Sequence, residues 1–143
     1  MAIDTDSLAE VLLLAQACED VARATLGVAQ SQLRTKVITQ DVFDQIFGDY
    51  SIAMQKARDM YYQASHGLAQ QIMHSADLKT LASETAELKK SLAHLQKAEH
   101  VLSISFGVVT VVAAVTTAVI TPSSVTLQAA LNGCLTLKQT ITG

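Results

Sequence analysis

The side chains in this sequence able to bind a metal or move a proton are four histidines, two cysteines, four methionines and thirteen carboxylates. A di-metal carboxylate centre in a helical protein needs Glu-x-x-His pairs on facing helices, and no Glu in the chain is followed by His three residues on. His66 and His74 are eight residues apart, two turns along roughly one helix face, whereas His94 and His100 are six apart and splayed. Such spacings suit bundle-edge histidines better than metal ligands. Met54, Met60 and Met73 recur as core filler does, with no CxxCH to attach a haem. Cys18 and Cys134 stand in no CxxC or Cys/His spacing. They read as small apolar core residues of a reducing compartment, with one long-range disulfide as the alternative. Ser, His and Asp are all present, but no nucleophile motif in a strand-turn-helix context holds them together. The expectation is a protein without catalytic residues, cofactor or metal.

Three other polar features have non-catalytic readings. Glu99 falls on an apolar seam between Leu95 and Leu102, where a polar group can fix register or oligomer state; alternatively it snorkels outward. His94 and His100 would charge between about pH 5 and 7, which would permit acid-triggered release of the segment that follows them. Tyr50 and Tyr61 read as bundle residues with their hydroxyls at the edge, not as a stacking platform for bases.

The elements that position these residues are helical. With 143 residues, half of them apolar, one proline and six glycines, the chain suits one domain over 1–143 built of helices joined by short turns. A net charge of −3 and a pI of 5.7 give no concentrated basic face, so nucleic acid is not an expected partner. The acidic start Met1-Ala-Ile-Asp-Thr-Asp lacks the basic region and cleavage site of a secretory signal. The expected location is the cytoplasm or a membrane surface, or outside the cell by a route other than the general secretory one.

Ser7 and Glu10 have capping-box spacing for a first helix running to about Lys36. One apolar stripe in it passes through Leu8, Leu12, Ala15, Ala22, Leu26, Ala29 and Leu33, and a second through Val11, Leu14, Cys18, Val21 and Val28. Thr39 caps a second helix through Phe43, Ile46, Ala53, Ala57, Met60, Ala64, Leu68 and Ile72, which ends near His74 or turns at Gly67. In the third, Leu78, Leu81, Thr85, Leu88, Leu92, Leu95, Glu99, Leu102, Phe106 and Val109 alternate by three and four, a heptad seam suited to assembly. The fold class expected is an all-α, elongated antiparallel bundle of three to four long helices.

Charge stops at His100. Val101 to Leu137, 37 residues, holds no Asp, Glu, Lys, Arg or His. Thr121-Pro122-Ser123-Ser124 divides this run into a helical hairpin over 101–137, following an amphipathic part over 7–100. The Val- and Thr-rich stretch 108–121 prefers strand locally, but the heptad register running into it favours helix. Residues 101–121 would span about 30 Å, the thickness of a bilayer core, and their eleven Leu, Ile, Val and Phe side chains, among them Val101, Leu102, Phe106, Val109, Val112, Val115, Val119 and Ile120, contribute about −3 to −6 kcal/mol on an insertion scale, opposed by the serines and threonines. Pro122, Leu127, Leu131 and Leu135 continue the apolar pattern in the second arm.

Two functions fit this pattern. In the first, the hairpin inserts into a membrane and the seam Leu78, Leu81, Leu88, Leu92, Leu95 and Glu99 drives assembly, as in a pore-former or translocator. That architecture is similar to α-helical pore-forming toxins, which keep a hydrophobic hairpin against a bundle. In the second, the chain is a soluble homo-oligomeric scaffold, or binds a helical protein partner, with the hairpin buried at a subunit interface.

Overall fold

A computed structural model describes residues 5–66, 73–93 and 101–142. Five helices account for them: α1 (Thr5–Arg34), α2 (Gln40–Ser65), α3 (Ser75–Ala93), α4 (Val101–Ile120) and α5 (Ser124–Thr142). The described residues are thus all-α, as their apolar periodicity requires, with five helices where three to four were expected. The difference lies in the third expected helix, which is two elements: α3 packs on α1 and α5, whereas α4 packs on α2, α5 and α1.

Local chemistry explains most of the ends. Thr39 has extended backbone and its hydroxyl accepts from the Val42 N–H, the N-cap of α2. α1 closes on Lys36, held in the left-handed region at φ 64°. The N–H of Val37 donates to the Gln32 carbonyl at 2.8 Å and that of Lys36 to Leu33 at 3.1 Å. This is the Schellman pattern without the glycine that usually serves it. α4 stops before Pro122, and α5 opens on a reciprocal cap: Thr126 N donates to Ser123 Oγ at 3.0 Å while Ser123 N donates to Thr126 Oγ1 at 2.9 Å. The capping box expected at Ser7 and Glu10 is not the start of α1, which already runs from Thr5. Glu10 instead accepts from the Ser75 hydroxyl at 2.7 Å and meets Lys79 Nζ at 3.4 Å, joining α1 to α3.

The packing pairs α1·α2, α2·α4, α4·α5, α5·α3 and α3·α1 close a ring, with α1·α4 packed across it. Directions follow from the cross-helix contacts. Arg58 meets Glu19, and Ile46 lies with Ala29, so α1 and α2 run oppositely. Ser105 bonds Asp49 and Thr116 bonds the Lys56 carbonyl, so α2 and α4 run parallel. Glu10 meets Lys79 and Asp20 meets Lys89, so α1 and α3 also run parallel. Gly107 faces Leu137 and Gly133 faces Val111, which makes α4 and α5 opposed. Helices successive in the chain alternate in direction, while the ring places three like-directed pairs side by side, α1 with α3, α3 with α5 and α2 with α4.

One apolar cluster draws side chains from all five helices, among them Leu14, Met60, Leu81, Ile104, Val115 and Leu137. In α1 it is the stripe Val11, Leu14, Cys18 and Val21 that is buried, while Leu12 is exposed. The strand-like composition of α4 is reconciled with helix by back-bonding: the Thr110, Thr116 and Thr117 hydroxyls donate to the carbonyls of Phe106, Val112 and Ala113, four residues before each. Val at buried helical positions loses little more by being fixed there, since packing already decides its rotamer.

Candidate functional site

Among the described residues no cluster of three or more His, Cys, Asp or Glu is placed to hold a metal. His66 stacks on Tyr62 with centroids 4.0 Å apart at the exposed end of α2, and His74 is exposed before α3. His94, His100, Leu95 and Glu99 lie outside the described residues. Cys18 and Cys134 are free and buried. Burial first, then the neighbouring Cys134 thiol, pushes Cys18 up to about 12. Burial and then the Glu84 carboxylate push Cys134 up to about 11, against a hydrogen bond with Thr85 that lowers it. Neither thiol is a nucleophile at neutral pH.

The seam residues Leu78, Leu81, Leu88 and Leu92 are core residues of one chain, packed where α3 meets α1 and α5. An assembly that used them would have to open the bundle first.

The hairpin residues divide by face. Val101, Val112, Val115 and Val119 are buried; Val109, Ile120, Pro122, Leu127 and Leu131 are half-buried; Leu102, Phe106 and Leu135 are exposed, Phe106 by 67%. α4 is a core helix on one side and a surface helix on the other. Its buried side needs no charge, and burial explains the apolar residues there. It does not explain the other side. Between residues 101 and 137 fourteen positions are exposed, and by sequence every one is uncharged. Elsewhere among the described residues exposed positions carry eleven charges, for example Arg23, Asp44, Arg58, Lys79 and Lys90. Cross-helix ion pairs run along α1 from Glu10–Lys79 to Glu19–Arg58 and Asp20–Lys89. α4 and the first four turns of α5 contribute to none of this.

The exposed side of α5 is uncharged but not apolar. Gln128 donates to Asn132 at 3.0 Å, and Ala129 and Thr136 lie beside them, with Val125 and Leu135 as separate apolar points. On the α2 side, α4 borders a groove of roughly 600 Å³ lined by Gly48, Asp49, Ile52, Leu102, Ser103 and Phe106, with Gln45 at its rim. Beneath it the Ser105 hydroxyl donates to Asp49 Oδ2 at 2.8 Å, tying α4 to α2. The residues α2 gives to this groove, Gly48, Asp49 and Ile52, carry no sequence signal that sets them apart; only the spatial neighbourhood of α4 brings them together with Phe106.

The fold and this surface define a non-repeating helical bundle with one uncharged face. Compared with models of known protein families, with curated proteins and with solved structures, the chain matches none.

Proposed function

We propose that this chain is a non-enzymatic interaction protein, a helical scaffold that assembles or binds a protein partner through the outward face of the α4–α5 hairpin. The observation that carries this reading is the absence of charge at positions that solvent reaches, since an exposed face gains solubility from charge and loses nothing in stability by it. A face kept free of charge while open to water is suited to meeting another surface. The carboxamides and hydroxyls of Gln128, Asn132 and Thr136 favour a protein surface over lipid, because each would lie unpaired or pair only locally in hydrocarbon.

Membrane insertion of the hairpin is the second reading, favoured by α4 itself: 20 residues, a mean hydropathy of 2.1 and no charge. Half of its most apolar window is buried in the bundle. Insertion of the hairpin would therefore uncover the faces of α1 and α2 that α4 covers and the face of α3 that α5 covers, a loss that lipid contact with the hairpin does not return to those three helices.

The test is flotation of the full chain with anionic and neutral vesicles, paired with light scattering of the same sample. Retention in the aqueous fraction as a defined assembly, or as a monomer that captures one stoichiometric protein partner, supports the scaffold. Flotation with release of a trapped dye refutes it and selects insertion.

A further inference from the structure

The heptad register that buries Leu78, Leu81, Leu88 and Leu92 continues in sequence to Leu102, Phe106 and Val109, but there it is turned outward. On α4 the stripe Leu102, Phe106, Val109, Ala113, Thr117 and Ile120, at steps of four, three, four, four and three, is exposed or half-exposed throughout. Steps of this kind keep one line of side chains facing a single partner helix. Among the described residues α1, α2 and α5 pack on the other sides of α4; Val109 and Ile120 lean on the core at the edge of the stripe, and Leu102, Phe106 and Thr117 are exposed.

We infer that the occupant is the α4 of a second copy, the two related by a two-fold axis. This rests on the scaffold reading above and names its partner. Three observations favour a copy of the chain. The stripe holds no charge of either sign, and the carboxylate in the groove beside it, Asp49, accepts from the Ser105 hydroxyl, so the stripe meets its own image without placing like charges together. Phe106 protrudes at the edge of the groove that Gly48 and Ile52 floor, so each copy supplies both a knob and a hole, as a two-fold contact requires. The area is also sufficient: α4 is about 30 Å long, and a strip reaching one helix spacing to either side is about 20 Å wide. That gives about 600 Å² per copy, and about 1,200 Å² for the pair meets the lower bound of stable interfaces. The Thr117 hydroxyl already donates to the Ala113 carbonyl at 3.0 Å, so the threonine can present its methyl to the seam.

The experiment is sedimentation equilibrium on the full chain and three variants. Wild type is expected at twice 15.2 kDa. Phe106→Asp puts a carboxylate into the seam, and should weaken the dimer at least about 30-fold, the loss of one central aromatic anchor. Gly48→Leu fills the groove, and since a Cβ there meets nothing within 4 Å the bundle keeps its fold while dimerisation weakens. Leu135→Asp, exposed on α5 at the rim of that strip, should weaken the dimer less than either. Circular dichroism of each variant confirms that it is folded. A wild-type monomer across the micromolar range overturns the pairing, and so does a dimer indifferent to Phe106→Asp and Gly48→Leu. If Leu135→Asp alone dissociates the assembly, the α4 seam is refuted while the scaffold reading survives through α5; if every form floats with vesicles, both fall.

Discussion

Ile104 and Ser103 are neighbours in α4 with opposite surroundings: Ile104 is fully buried in the main core cluster, and Ser103 is exposed at the rim of the α2–α4 groove. Ile104→Ala removes three carbons. At about 0.8 kcal/mol for each buried methylene this loses about 2.4 kcal/mol in transfer alone, and the unfilled space brings the total to about 3 kcal/mol or more, within the range found for such truncations. For a chain of this size each kcal/mol moves the midpoint by about 2 to 4 °C, so melting should fall by about 6 to 12 °C. Ser103→Ala should change stability by less than about 0.5 kcal/mol. Urea unfolding followed by circular dichroism, with both variants at one low protein concentration, measures the two midpoints. If Ile104→Ala costs no more than Ser103→Ala, then α4 is not held in the bundle as described. The division of the hairpin into a core side and a docking side would then be wrong.

The two glycines Gly27 and Gly107 should answer oppositely. A Cβ at Gly27 meets nothing within 4 Å, so Gly27→Ala should raise stability by about 0.5 to 1 kcal/mol, whereas at Gly107 a Cβ would stand 2.8 Å from the Cδ1 of buried Leu137. Gly107→Val, with two more carbons to place, should lower it by about 1 to 3 kcal/mol, read by thermal melting. The buried thiols set an alkaline limit. Cys18 is raised from 9.0 to about 12 by folding, so its contribution is complete below pH 9 and is lost as pH rises toward 12, at roughly 1 kcal/mol per pH unit. Cys134 acts in the same sense up to about 11. The melting temperature of wild type should therefore fall more steeply between pH 9 and 11 than that of Cys18→Ala, and equal slopes would refute the burial of that thiol.

Periodicity made the helices legible, and it did so where packing repeats. The stripe Val11, Leu14, Cys18 and Val21 and the run Leu78, Leu81, Thr85, Leu88 and Leu92 could be read because each buried residue follows the last by three or four. Thr39 and Pro122 were legible as boundaries because cap chemistry and a missing N–H act locally. The end of α1 was less so, because Lys36 takes a conformation that a glycine would have announced. The separation of α3 from α4 was hidden for a different reason: the heptad register continues through both, and period alone does not say which partner each half faces. Leu78 to Leu92, which the sequence offers as an assembly seam, close on α1 and α5 within one chain. The absence of charge over 101–137 was plain in the sequence, but its division into a buried side and an exposed side depends on which helices flank α4, and the α2–α4 groove depends on contacts some fifty residues apart.

The ring order has a consequence during synthesis. α2 and α4 lie side by side, yet α3 comes between them in the chain and packs on the other flank of α1. When α1, α2 and α3 have left the ribosome, the sides of α1 and α2 that will receive Ile104, Val108 and Val115 are still open to water. At about 5 to 20 residues per second they stay open for some seconds until α4 arrives. The nascent three-helix intermediate therefore exposes an apolar cleft shaped for a helix rich in valine, and the α4 of another nascent chain can enter it as well as its own. Domain-swapped pairing on crowded polysomes is the hazard this topology carries, and prompt emergence of the uncharged hairpin is what removes it.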